Sequence, residues 1–167
     1  MLHQVKKKQY TSRFCFACGE ENQSGLHCRF YELDDGQIVG VFAASREHCS
    51  YPDRMHGGLI SAVLDEVIGR AILIEEPDTF GVTVELNVRF KKPVPLETEL
   101  RCVGRLIRNQ RLLFEAEGEI LLPDGTVAAT AHGKYMKQPL AVISSDFSGE
   151  RLMYNSYPDD KTAIELP

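Results

Sequence analysis

One segment of twenty residues, 55–74, restricts what this chain can fold into, because it is the only long stretch with helical periodicity. Its apolar residues recur three and four positions apart and cover most of the helical circumference, so the sequence predicts a helix buried on most sides. The core positions are Ile60, Val63, Leu64, Val67, Ile68, Ala71 and Ile72.

Six other segments have the composition and alternation of β-strands. They are 26–33, 37–44, 82–90, 96–107, 112–122 and 126–136. Asp34-Asp35-Gly36 separates the first two, and an Asp-Gly pair is typical of a hairpin turn. Strict alternation over 82–90 predicts a half-buried strand with Thr83 on its polar face. We therefore expect an α+β fold in which an antiparallel sheet of about six strands packs against one long central helix.

The chain has 167 residues, of which 43% are apolar and 26% charged, as expected for one folded domain. We divide it into a polar arm over 1–13, a domain over 14–137 and a tail over 138–167. The arm is expected to be loose or a short capping helix, and 141–154 to form a short helix in the tail. Because no apolar run approaches the roughly 20 residues of a membrane span or resembles a signal peptide, we expect a cytoplasmic protein without a membrane partner.

The formal net charge of −5 is unfavourable for a protein that binds nucleic acid non-specifically. Six basic residues nevertheless stand against two acidic ones between Lys91 and Arg111. They are Lys91, Lys92, Arg101, Arg105, Arg108 and Arg111. Such a patch suits a small polyanionic ligand, and the alternative is a set of solvated strand and loop residues.

Five cysteines are an odd number, and a reducing compartment disfavours disulfides. Cys15-Phe16-Ala17-Cys18 is a CxxC, but zinc needs a second close ligand pair, which His27-Cys28 could hardly provide in tetrahedral geometry. Small packed thiols are the favoured interpretation, and we expect neither a metal nor a cofactor.

Two consecutive glycines, Gly57 and Gly58, stand where the predicted helix begins. Their N–H groups are uncovered by side chains and point where the helix dipole favours negative charge, which outlines an oxyanion hole. The alternative is that these glycines only allow another element to come close. His56 could act as a base, as a nucleophile or as a hydrogen-bonding partner of the backbone.

Two carboxylates lie in the middle of the predicted helix. Asp65 has small residues one turn away on either side, and a buried carboxylate without a partner is costly, so it needs a function or a partner. Glu66 is four residues from Arg70 and can form an i,i+4 salt bridge.

Seven residues, roughly 10 Å along a helix, separate Gly58 from Asp65. This is too far for both to act on one carbonyl group. If they cooperate, they belong to different subunits, and two antiparallel helices across a two-fold axis would bring them together twice per dimer.

His56-Gly57-Gly58, Asp65 nine positions after His56, the strand with its Lys-Lys-Pro extension over 82–93 and the Asp124-Gly125 turn resemble PaaI-like hotdog-fold acyl-CoA thioesterases. The likeness covers about 14–137. It implies a hotdog fold, a homodimer that is often part of a dimer of dimers, and hydrolysis of a coenzyme A thioester without metal or cofactor.

The resemblance also implies roles for individual residues. The Gly57 N–H would polarise the thioester carbonyl, Asp65 of the partner subunit would activate water or attack directly, and the Thr83 hydroxyl would orient the water. Relatives often have Asn where this chain has Ser50, and Gly where it has Asp53. The implied substrate contacts are Ser50, His56, Gly58, Phe90, Lys91, Arg108 and Arg111.

Three other functions fit parts of the sequence. The same fold could bind or sense acyl-CoA without reaction, with a structural Asp65. It could hydrate or dehydrate acyl thioesters, with His56 as the nearby acid or base. A Ser61–His56–Asp65 triad is the weakest alternative, since the chain has no GxSxG elbow.

Overall fold

The computed structural model describes residues 1–139, 142 and 161–167. Their strands form one antiparallel sheet in the order β4-β7-β6-β5-β3-β2-β1-β8. The strands are β1 Leu2–Lys8, β2 Arg29–Leu33, β3 Ile38–Ala43, β4 Thr79–Phe90, β5 Glu99–Asn109, β6 Leu113–Leu121, β7 Val127–Pro139 and β8 Ala163–Glu165. Within the described residues, no helix is long and apolar enough to cross a membrane.

One helix, α1 Gly57–Gly69, packs across one face of the sheet and continues as a 3-10 helix over Arg70–Ile74. A shorter 3-10 helix, Arg46–His48, precedes it. The fully buried helix residues contact core side chains from the sheet, and each such aliphatic side chain contributes roughly 1.5–3 kcal/mol of hydrophobic stabilisation. Examples from the sheet are Phe30, Ile38, Leu100, Phe114 and Ile120. The predicted central helix is confirmed, with its last turn tightened.

The amino-terminal arm differs from the prediction, because β1 pairs with β2 and β8 instead of forming a loose segment or a helix. Strand β1 is polar and rich in lysine, so its sequence has little of the apolar alternation that predicts a strand. Backbone pairing with β2 and β8 holds β1 in place. Ile164 and Leu166 pack into a second apolar cluster on the other face of the sheet. The helix predicted over 141–154 lies outside the described residues, apart from Val142.

Candidate active site

Asp65 is held in place by two hydroxyl groups from the sheet. Thr83 Oγ1 donates to Asp65 Oδ1 at 3.0 Å and to Oδ2 at 3.2 Å. Tyr135 OH donates to Asp65 Oδ1 at 2.9 Å and to the Asp65 carbonyl oxygen at 3.2 Å. The half-buried carboxylate therefore has the partners that its position in the helix requires.

A β-bulge in β4 directs Thr83 toward Asp65. Pairing with β7 shifts register between Thr83 and Glu85, so the strand contains one extra residue there. Leu86 packs on the core, and without the bulge Thr83 would face the opposite side, since side chains alternate. Placing Thr83 on the charged face of a regular strand was therefore wrong.

Tyr135 is a site residue that the sequence analysis missed. It lies directly opposite Thr83 in the β4–β7 pair, and its ring stacks on Phe114 with centroids 4.9 Å apart. A Cβ on Gly69 would lie 3.2 Å from the ring, so the glycine gives the tyrosine room to reach Asp65. Burial, and then the negative charge of Asp65, raise the pKa of Tyr135, which keeps the phenol protonated as a donor. A buried tyrosine needs a partner for its hydroxyl, and this was the available signal.

A cavity of about 390 Å³ opens beside Asp65. It follows the carboxyl-terminal half of α1 past Arg70 to Leu73, and the segment before β2 contributes Cys15 and Cys18 to its wall. Its size is within the range of small-molecule sites. The predicted salt bridge is confirmed nearby, because Arg70 donates to Glu66 Oε1 at 2.8 Å.

Two cysteine thiols and the charged side chain of Arg70 line this cavity. The Cys18 thiol donates to Cys15, which lowers the pKa of Cys15 to about 7 although partial burial opposes the shift. The same hydrogen bond, together with burial, raises the pKa of Cys18. Arg70 Nη2 donates to Cys18 Sγ at 3.2 Å. Cys28 and Cys102 are packed in the core, which for Cys28 agrees with the favoured interpretation as a small packed thiol.

The amino terminus of α1 forms a second, separate group of residues. His56 Nδ1 accepts a hydrogen bond from the Gly58 N–H at 2.9 Å, so its interaction with the backbone is confirmed. In the described part of the chain, the Gly57 N–H has no acceptor, and a Cβ on Gly57 would lie 3.6 Å from the Phe90 ring. Ser61 Oγ donates to the Gly57 carbonyl, so the structure does not form the Ser61–His56–Asp65 triad.

One subunit does not bring the predicted catalytic residues together. Asp65 and Thr83 line the cavity, whereas Gly57 is not among its lining residues and lies near Phe90, toward the other end of β4. The separation agrees with the distance argument from the sequence.

The predicted substrate contacts are also divided. Two backbone hydrogen bonds mark where the two groups lie along β7. At one end of β7 the Lys91 N–H donates to Ala128 O, and near the other end the Lys137 N–H donates to Leu112 O. These points are nine residues apart along β7, roughly 30 Å in an extended strand. Arg108 and Arg111, beside Leu112, are therefore far from Phe90 and Lys91, and one subunit does not gather these residues into a single patch.

Two of the six basic residues pair with acids on the sheet. Arg101 lies 2.9 Å from Glu99, and Arg105 lies 2.6 Å from Glu117. The arginines of the 108–111 turn are exposed. They are therefore better placed than the paired residues to meet a polyanionic ligand.

Ser50 is in the exposed loop before α1, where its Oγ accepts the Tyr51 N–H at 2.6 Å. Asp53 has a φ of 64°, a left-handed conformation that favours glycine and that Asp tolerates better than most residues.

A family model described as Thioesterase superfamily matches residues 53–129. Mouse acyl-coenzyme A thioesterase THEM4 is 29% identical over 91 residues, which cover 54% of this chain and 36% of THEM4. The chain thus spans about a third of the length of this curated relative.

Solved structures give the same fold. A thioesterase superfamily protein superposes with a TM-score of 0.69 at 27% identity, covering 74% of this chain and 60% of that chain. The E. coli PaaI protein from the phenylacetic acid degradation operon superposes with a TM-score of 0.61 at 16% identity, covering 68% and 80%. The chain has the hotdog fold, and the matches support a relationship with hotdog thioesterases.

Proposed function

We propose that this protein hydrolyses acyl-CoA thioesters to a free acid and coenzyme A. The central observation is a carboxylate, Asp65, oriented by two hydroxyl donors on the wall of a cavity of about 390 Å³. The match to the thioesterase model includes Gly57, Asp65 and Thr83. The names of the relatives supply the substrate class.

In the proposed reaction, Asp65 acts as a general base. Among the described residues, its Oδ2 accepts only the longer Thr83 contact, so this oxygen is available to a water. As the water oxygen bonds to the thioester carbon, Asp65 takes its proton, and the carbonyl oxygen becomes an oxyanion bound by the Gly57 N–H. The carbon–sulfur bond then breaks, and the proton passes to the coenzyme A sulfur.

The alternative is direct attack by the Asp65 carboxylate to form an anhydride, which water then cleaves. The two routes differ in the source of the second oxygen in the product. A single turnover in ¹⁸O-water labels the product acid if water attacks the thioester. After attack by Asp65, cleavage of the anhydride by water at the Asp65 carboxyl carbon gives a first product whose second oxygen comes from the enzyme, and the ¹⁸O label enters Asp65 instead.

A homodimer would complete the proposed site. Strand β4 is twelve residues long and lies at one edge of the sheet, with Val82, Val84 and Phe90 about half exposed. A long apolar edge strand is suited to pairing with another chain. Antiparallel pairing of two β4 strands about a two-fold axis near Leu86 and Asn87 would place the partner's Phe90 beside Thr83, and the partner's Gly57 near Asp65.

The same dimer would reunite the divided basic residues. In that register the partner's Lys91 lies near Val82, roughly three strand spacings, or about 14 Å, from the turn with Arg108 and Arg111. We propose that the two groups bind the phosphates of coenzyme A from opposite subunits. A dimer of dimers and a cytoplasmic location stay predictions.

Thiol release separates hydrolysis from the alternatives. Purified protein is given short, medium, long and aromatic acyl-CoAs, and free coenzyme A is measured with a thiol reagent. Turnover of one acyl class supports the proposal. Binding without release would favour an acyl-CoA sensor, and interconversion of enoyl and hydroxyacyl thioesters without release would favour a hydratase. A hydratase would need His56 as its acid or base, but His56 Nδ1 already accepts the Gly58 N–H as the helix cap.

A further inference from the structure

Three potential metal ligands meet at the wall of the cavity. Cys15 Sγ, Cys18 Sγ and a carboxylate oxygen of Glu66 all lie within 4.8 Å of one another. The cysteines are on the loop before β2, whereas Glu66 is on α1. His27-Cys28, which is close in the sequence, could hardly provide further ligands, and the third ligand instead comes from a helix about fifty residues away in the chain.

The loop is shaped so that both sulfur atoms face the helix. The Gly19 N–H donates to the Cys15 carbonyl at 2.8 Å, and a Cβ on Gly19 would lie 2.5 Å from the Cys15 nitrogen. Glycine is therefore required for this tight turn.

The surrounding charges suit a divalent cation. Two thiolates and the Glu66 carboxylate would bring three negative charges, and Arg70 supplies one positive charge through its contacts with Cys18 and Glu66. A divalent metal would make the group neutral. Arg70 would also orient two of the ligands by hydrogen bonding, as residues around metal sites commonly do.

We propose that Cys15, Cys18 and Glu66 bind one divalent metal ion of the zinc type. Thiolate and carboxylate ligands suit zinc, and a fourth position would face the cavity and take water. Binding forms two metal–sulfur bonds and releases the thiol protons to solvent. The metal would tie the loop that carries Cys15 and Cys18 to α1, whether or not the protein is a thioesterase.

Cobalt spectroscopy tests this proposal without an activity assay. The reduced, chelator-treated full chain is titrated with Co²⁺, and thiolate-to-cobalt charge-transfer absorption is recorded. We expect the absorption to saturate at one Co²⁺ per chain and to disappear when Zn²⁺ displaces the cobalt. Absence of charge-transfer absorption in the wild type would overturn the proposal.

Variants identify the ligands. Cys15→Ser and Glu66→Gln should each weaken Co²⁺ binding by at least about tenfold. Cys49→Ser, which changes an exposed cysteine, should leave binding unchanged. Zn²⁺ should raise the melting temperature of the wild type but not of Cys15→Ser. Equal binding by wild type and Cys15→Ser would contradict the assignment, even if Glu66→Gln proved unstable.

Discussion

Thr83 and Tyr135 are paired directly across β4 and β7, and both donate to the same oxygen, Asp65 Oδ1, at 3.0 and 2.9 Å. Two donors fix the orientation of the carboxylate and leave Oδ2 more accessible for proton transfer. The register of β4 against β7 therefore determines how Asp65, the carboxylate proposed to act as the base, is oriented.

Asp65→Asn should lower kcat for acyl-CoA hydrolysis by about 10²- to 10⁴-fold, because an amide cannot accept the proton from water. Thiol release measures the effect. Asp124→Asn is the matched control, since it makes the same chemical change in an exposed turn. Unchanged kcat in a folded Asp65→Asn protein would remove Asp65 from the mechanism.

Gly57→Pro tests the backbone donor. Gly57 is the first helical residue, where proline is tolerated, and the ψ of 135° at His56 suits a residue before proline. The variant should fold and lose about 10²- to 10³-fold in kcat, because the N–H is missing.

Gly57→Ala is the control for this variant, because it keeps the N–H and its Cβ has room beside the Phe90 ring. It should retain most of the activity and a melting temperature similar to that of Gly57→Pro. Equal kcat values for the proline and alanine variants would exclude the Gly57 N–H as the donor.

Tyr135→Phe should lower the free energy of unfolding by about 1.5–3 kcal/mol, since a hydrogen bond to a charged group is lost. Denaturant unfolding measures the difference. Tyr51→Phe, at a side chain that is 74% exposed, should change it by less than about 0.5 kcal/mol.

The stability effect of Tyr135 should also depend on pH. Folding raises the pKa of Tyr135, so its stabilisation is complete below about pH 10 and is lost as the pH rises further. The stability difference between wild type and Tyr135→Phe should therefore shrink by up to about 1.4 kcal/mol per pH unit above pH 10. A difference that stays constant to pH 11 would disagree with this environment.

Mixing two inactive variants tests the shared site. If Gly57→Pro and Asp65→Asn chains are unfolded and refolded together, about half of the dimers contain one chain of each kind. Each mixed dimer has one intact site, so about a quarter of the wild-type activity should return. If both residues acted within one subunit, mixing would restore nothing.

Removing the charges of Arg108 and Arg111 together should raise KM for acyl-CoA by up to about tenfold and leave kcat nearly unchanged, because exposed charges contribute modestly to binding. The dependence of KM on salt should weaken as well. Arg46→Gln, at an exposed arginine near Glu97, serves as the control. A wild-type KM that does not change with salt would contradict a phosphate-binding role.

Local patterns account for the parts of the fold that the sequence predicted. Helical periodicity gave the position of α1, and the Asp-Gly turn between β2 and β3 gave the hairpin. The i,i+4 spacing of Glu66 and Arg70 gave their salt bridge. Each of these features depends on residues that are close in the chain, so side-chain spacing is enough to predict it.

The sequence by itself determined the helix, most of the sheet and Asp65 as a candidate catalytic residue. The spacing of apolar residues, and a charged residue within an apolar helical pattern, can be read directly from the order of residues. Only the tertiary structure decided how Asp65 is held, since a single bulge reverses the face of Thr83 and strand register selects Tyr135 as its partner. The separation of Phe90 from Arg108, and the meeting of Glu66 with Cys15 and Cys18, likewise depend on contacts between distant segments, which no local pattern specifies.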